Sequence, residues 1–186
     1  MTEGDSPDVE TLLADLARWA ADARVDEAVA ERTRERWLRQ QSAEEARLTG
    51  IALDLAEQRA TASVTTTGGR HLRGTVVAVG EDFLAMAPSP RSVVLIAFAA
   101  ITLLRPPPDR PEGTGDRSPP NSAWLADVLA GLAGERAHVR IAMGTDVVSA
   151  ELRSVGADVV TLRVDGAPPT SAYARLAAVT EVWLGA

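Results

Sequence analysis

Cysteine and lysine are both absent from this 186-residue chain, histidine occurs twice, and aromatic side chains make up only 4%. Without cysteine there is no disulfide framework, no thiolate nucleophile and no cysteine-based metal site. The two histidines, His71 and His138, each open a separate strand-like run with no acid aligned beside them. They suggest neither a nucleophile–base arrangement nor a zinc ligand set, and read instead as strand residues at the solvent edge. No run approaches the roughly 18 consecutive apolar residues of a membrane-spanning helix. The opening MTEGDSPDVE is acidic and polar, unlike the basic start and apolar run of a secretory leader, so a cytoplasmic location is expected. The glycines form neither a phosphate-binding loop nor a dinucleotide fingerprint. These absences together lead to the expectation of a non-enzyme with no cofactor, no metal, no membrane partner and no small-molecule substrate.

All 19 basic residues are therefore arginine, the imprint of a GC-rich genome. The net charge of −7 argues against a broad nucleic-acid-binding surface. That charge is unevenly spread: residues 1–59 hold 14 acids against 8 Arg, whereas residues 60–105 hold 2 acids against 4 Arg. Residues 122–186 are acidic again, with 7 acids against 5 Arg.

Apolar residues at Val9, Leu12, Leu13, Leu16, Trp19 and Ala20 follow the helical period, with Ser6 or Asp8 placed to cap the start. A second helical stretch without proline runs from about residue 26 to Arg59. Its middle is charged, with Glu35 and Arg39 at a favourable i,i+4 spacing, and its end is apolar on one face (Leu48, Ile51, Ala52, Leu55). From Ala60 the period changes to two. Strands are expected at Thr61–Thr67, Leu72–Val79, Phe83–Ala87, Ser92–Ile96 and Ile101–Leu104, punctuated by Gly68-Gly69, by Gly80-Glu81-Asp82 and by prolines 88 and 90. Five short strands at close spacing are expected to curl into a small barrel that leaves no open edge. Residues 106–121 contain six of the eleven prolines and read as a linker.

Beyond that linker the pattern returns. Asn121 or Ser122 caps an expected helix carrying Leu125, Val128, Leu129 and Leu132, and strands are expected at His138–Met143, Val147–Val155 and Val160–Val164. Leu132–Arg136 mirrors Leu55–Arg59 at an offset of 77, Gly156-Ala157-Asp158 follows Gly80-Glu81-Asp82 by 76, and Leu176–Thr180 repeats Phe98–Thr102 at 78. An internal duplication is the economical explanation. The expected fold class is α+β: an N-terminal helical arm (residues 1–43), then two tandem helix-plus-five-stranded small barrels (44–105 and 122–186) joined by the linker 106–121.

The runs Leu72–Met86 and Val94–Thr102 carry a glycine in strand 2, an acidic turn, an apolar strand 3 and a short connection between strands 4 and 5. In this they resemble the Sm-like fold, the family of Hfq and LSm proteins, and more loosely SH3-like barrels. The resemblance covers about residues 45–105 and 122–184. It implies a small barrel that associates through strand edges. In that family RNA contacts come from the loop between strands 2 and 3 and from the connection between strands 4 and 5. Here Ala85 occupies or adjoins the position that is commonly Asn, and the connections read Ala97–Ala100 and Arg175–Ala178, so the family's RNA-binding residues do not carry over.

Two groups of side chains are candidates for contact. Arg70, His71, Arg73, Arg91 and Arg105 make the first repeat locally basic and could hold phosphates if they share a face. Trp37, in the charged part of the long helix, and Trp183, in the final strand, are candidates for protein contact. The leading expectation is a binding or assembly protein that meets a protein partner or itself. Its rival is an RNA- or DNA-binding regulator using the basic face of the first repeat.

Overall fold

A computed structural model describes residues 46–108 and 123–185, with Gly115 and residues 27, 31–34, 36–38, 40, 41 and 44. The chain divides into two compact units, Met1–Glu44 and Glu45–Ala186. In the first, residues 31–34, 36–38, 40 and 41 are helical and exposed, and Gln40 Nε2 donates to Glu44 Oε1 at 3.3 Å. The expected helix from Val9 and the Glu35–Arg39 pair lie outside the described residues, as do the expected caps at Asn121 and Ser122 and most of the linker.

The second unit is α+β and mostly β. Its elements run α1 (Leu48–Glu57), β1 (Thr61–Thr66), β2 (His71–Val79), β3 (Phe83–Ser89), β4 (Ser92–Ala97), a 3-10 turn (Phe98–Ala100) and β5 (Ile101–Arg105). The series then repeats as α2 (Leu125–Gly134), β6 (His138–Met143), β7 (Asp146–Val155), β8 (Val159–Val164), β9 (Thr170–Arg175), a second 3-10 turn (Leu176–Ala178) and β10 (Val179–Leu184). The continuous helix expected up to Arg59 is interrupted. Arg47 is extended (φ −119°, ψ 147°), and its N–H donates to Gly115 O at 2.9 Å, so α1 starts afresh at Leu48. A contact from the proline-rich segment, distant in sequence, overrides local helix propensity there.

The two halves repeat each other hydrogen bond for hydrogen bond. Gly80 N–H donates to Phe83 O at 2.9 Å, and Gly156 N–H to Val159 O at 2.8 Å. Phe98 N–H donates to Asp82 O at 2.9 Å, as Leu176 N–H does to Asp158 O at 2.8 Å. In each half the pairing of first and last strand slips by one residue, between Thr65 and Thr66 in one case and between Val179 and Glu181 in the other. A threonine hydroxyl bridges each slip: Thr102 Oγ1 donates to Thr65 O at 2.9 Å and Thr180 Oγ1 to Ala142 O at 3.1 Å. The strand-2 glycine does not recur. A Cβ on Gly74 would meet Ala87 O at 2.6 Å, whereas the matching residue of the second half is the fully buried Ala150. Glycine at position 74 thus serves a close backbone approach peculiar to the first half.

Two separate closed barrels are not what forms. The ten strands make one antiparallel sheet in the order β5-β1-β2-β3-β4-β10-β6-β7-β8-β9. Closing the first half on itself would pair β4 with β5, but β4 pairs with β10 of the second half instead (Glu181↔Ile96, Val182↔Leu95, Trp183↔Val94). The sheet is therefore open, with β5 and β9 as its outer strands.

This joint explains a sequence difference between the halves. Phe83, Leu84, Ala85 and Met86 of β3 and Val94, Leu95 and Ile96 of β4 are all buried, so both faces of these strands are covered. Leu84, Met86, Val94 and Ile96 face the core under α1, with Leu53, Leu55, Val64 and Val76. Phe83, Ala85 and Leu95 face the second core instead, with Leu125, Leu129, Ile141, Leu152, Leu162 and Val182. Strands buried on both faces read as unbroken apolar runs. Their counterparts β8 and β9 have one open face and carry Thr161, Arg163 and Tyr173 there, with Tyr173 76% exposed.

Candidate functional site

The side chains proposed as one basic cluster are distributed over three places. Thr65 pairs across the sheet with His71 and with Leu103, and Ser63 pairs with Arg73 and with Arg105. Residues directly opposite one another share a face, so His71, Arg73 and Arg105 lie on the same face of the β2–β1–β5 corner. All three are exposed, and His71 Nδ1 lies 3.0 Å from Thr65 Oγ1. Arg91 is elsewhere, in the β3–β4 turn against Gly185 at the end of β10.

Arg70 turns towards the second half. Its guanidinium Nε donates to Glu181 Oε2, and its terminal nitrogen donates to Gly144 O at 2.8 Å and to Thr180 Oγ1 at 3.1 Å. Glu181 is fully buried in mid-strand, and its Oε1 has no hydrogen-bond partner among the described residues. Taking a carboxylate out of water is expensive unless a cation compensates it, so Arg70 is the group that lets Glu181 sit inside the sheet. Trp183 lies in the same joint: Arg140 stacks over its ring at 4.5 Å and Arg70 lies 5.9 Å from its centroid. Trp37, in the N-terminal unit, is 65% exposed.

The halves also meet at helix α2. Its N-cap residue, Trp124, makes no side-chain cap. The cap comes from the other half: Leu125 N–H donates to Asp82 Oδ1 at 2.7 Å, and Glu81 N–H donates to Ala123 O at 2.9 Å. The acid of the Gly80-Glu81-Asp82 turn thus satisfies an orphan donor of a helix 43 residues further along the chain.

Between the two acidic turns and the two 3-10 turns lies a cleft of about 890 Å³, walled by Glu81, Asp82, Asp158, Arg175, Phe98 and a series of alanines. Neither histidine is among its lining residues. His138 has the acid partner that the sequence did not reveal, its Nε2 lying 2.8 Å from Asp165 Oδ2, with both side chains more than half exposed. Asp165 follows β8 and is carried to His138 by the β6–β7–β8 pairing, a juxtaposition no local motif signals. Among the described residues no group of three or more His, Cys, Asp or Glu is placed to hold a metal ion, and no helix is long and apolar enough to cross a membrane.

Glu181 is the important residue that motif reasoning passes over. A signal existed: it is an acid inside the apolar strand Val179–Leu184 where the first repeat has Leu103. A charge at an inward strand position implies a buried counter-charge somewhere in the fold.

No family model, curated protein or solved structure matches this chain.

Proposed function

We propose that this chain is a non-catalytic assembly protein built from two Sm-like units, working through strand-edge pairing. The observation that carries this reading is the β4–β10 joint, where the chain already connects two five-stranded units by edge pairing and leaves β5 and β9 as outer strands. Unpaired edges are templates for another chain's strand. Sm-like kinship is supported by the matching strand orders β5-β1-β2-β3-β4 and β10-β6-β7-β8-β9, the helix preceding each, and the 3-10 turn before the last strand of each half. The N-terminal acidic unit, with Trp37 and Leu38 exposed, offers a further recognition element.

One observation favours nucleic acid as a second reading: Arg73, Arg105 and His71 share an open face. Against it stand the charge of −7 and the engagement of Arg70 with Glu181. Affinity purification from the native host, reading both protein and RNA, separates the two. Protein that is lost when Leu103 and Tyr173 are changed to proline supports edge assembly. RNA that is retained by that variant but lost with Arg73→Ala plus Arg105→Ala overturns it.

A further inference from the structure

The internal joint builds a cleft that neither half has alone. Antiparallel pairing of Glu181 with Ile96 sets the end of β4 opposite the start of β10. The two 3-10 turns, Phe98–Ala100 and Leu176–Ala178, therefore emerge at the same end of the sheet. Each is held to the acidic turn of its own half, by Phe98 N–H donating to Asp82 O and by Leu176 N–H donating to Asp158 O. The space enclosed by these four turns is the cleft of about 890 Å³. It stays open because alanine lines much of it, with Ala99, Ala157 and Ala177 all exposed.

That volume falls in the range of small-molecule sites, which are mostly apolar with a few convergent polar groups. Phe98, Leu125 and Leu176 add to the apolar wall. The charged groups are Glu81, Asp82, Asp158 and Arg175, three carboxylates against one guanidinium. Asp82 is committed to the N-terminus of α2 through Leu125 N–H. Among the described residues Glu81, Asp158 and Arg175 have no ion-pair partner. Arg70 reaches the margin of the cleft at Gly144 O and Thr180 Oγ1, but its charge is answered by the buried Glu181. The balance within the cleft is therefore negative, and it stands beside an aromatic ring. An aromatic ring among carboxylates attracts an ammonium group.

We propose that this cleft binds a small organic cation, an ammonium group carried on an apolar body. The apolar part lies against Phe98, Leu176 and the alanines, and the ammonium group meets Asp158 and Glu81. A nucleotide does not suit this balance, because its phosphate would face the same acids. A bare metal ion is not the occupant either, since among the described residues no three His, Cys, Asp or Glu are placed to hold one. Every wall belongs to one chain, so the site goes beyond strand-edge assembly and does not depend on it. No local motif announces it, because Asp82 and Asp158 stand 76 residues apart in sequence and line one cleft only across the joint.

The test uses the full chain, isotope-labelled for amide NMR, and two probes of one shape: tryptamine, with an ammonium group, and indole-3-propionate, with a carboxylate in its place. Tryptamine is expected to shift the amides of Ala99, Ala157, Asp158 and Ala177 saturably, with a Kd in the millimolar range that suits so small a molecule. Indole-3-propionate should bind at least about tenfold more weakly. Asp158→Asn should weaken tryptamine binding about fivefold, the upper value for an exposed ion pair. Arg175→Ala should strengthen it about twofold by removing a like charge. Ala177→Trp should abolish it by filling the cleft, and because Ala177 is exposed, circular dichroism should show that variant folded. Should Ala177→Trp misfold, the opposite effects of Asp158→Asn and Arg175→Ala still decide the question. Glu135→Gln, exposed and about 15 Å along α2 from Leu125, should bind like wild type. The proposal is overturned if no saturable shift appears up to the solubility limit of tryptamine, if the two probes bind equally, or if the shifts centre away from the cleft. Adenosine monophosphate binding at the same amides more tightly than tryptamine overturns it too, in favour of a phosphate ligand.

Discussion

Replacing Arg70 with methionine removes the cation that pairs with Glu181 while keeping a long apolar stem in place. Glu181 has no exposed surface, and Arg70 supplies the bond to its Oε2, with Oε1 unpartnered among the described residues. The substitution therefore leaves a buried carboxylate with neither oxygen bonded, a state that costs about 3–5 kcal/mol. The reverse deletion is milder. In Glu181→Leu the guanidinium keeps its bonds to Gly144 O and Thr180 Oγ1, and with 21% of the side chain exposed it still reaches water. About 1.5–3 kcal/mol is expected there, the penalty of one lost charge-assisted bond. The double variant Arg70→Met with Glu181→Leu should return to within about 1 kcal/mol of wild type, because an apolar pair replaces an ion pair of similar volume. The first repeat already carries leucine at the equivalent position 103. Urea unfolding of the four proteins, followed by far-ultraviolet dichroism, measures the cycle. If Arg70→Met destabilises no more than Glu181→Leu, or if the double variant loses the sum of the two, the compensation argument fails.

Asp82→Ala should cost about 1 kcal/mol by uncapping α2, and Asp82→Asn should recover most of it, since the amide oxygen accepts the same bond; urea midpoints decide. Leu95→Ala should cost about 2–5 kcal/mol, because that residue of the first half fills the second half's core. Tyr173→Ala, at the matching but exposed position, should stay within about 0.5 kcal/mol of wild type in the single-chain form, as read by thermal unfolding at low concentration.

Much of the secondary structure is legible from periodicity because alternation and turn chemistry act locally. Val160, Leu162 and Val164 alternate with Thr161 and Arg163, and glycine-acid turns mark where strands 2 and 7 end. Strand β9 escapes that reading: Thr170–Arg175 turns only Ala172 and Ala174 towards the core, too weak an apolar alternation to mark a strand, and its place becomes evident only from its pairing with β8. The break at Arg47 is likewise invisible locally, since it depends on Gly115. The candidate site was legible in part. The arginines of the first repeat stand out by composition, but a count of charges does not say which way each one points. Register places Arg73 and Arg105 on one face, while Arg70 is drawn away by an acid 111 residues distant.

By itself the sequence determined the repeated unit, its helix and strand types, and the residues available to fill a core, because each of these depends on spacing within a few residues. Tertiary structure decided which edge meets which. Both repeats carry nearly the same backbone pattern, so β4 could in principle meet β5 or β10, and local propensity does not distinguish them. The choice rests on side chains brought together from far apart, above all the Arg70–Glu181 pair, the Asp82 cap and the fit of Phe83 and Leu95 into the second core. It is a difference between two packings, which exists only once both have surfaces to bury.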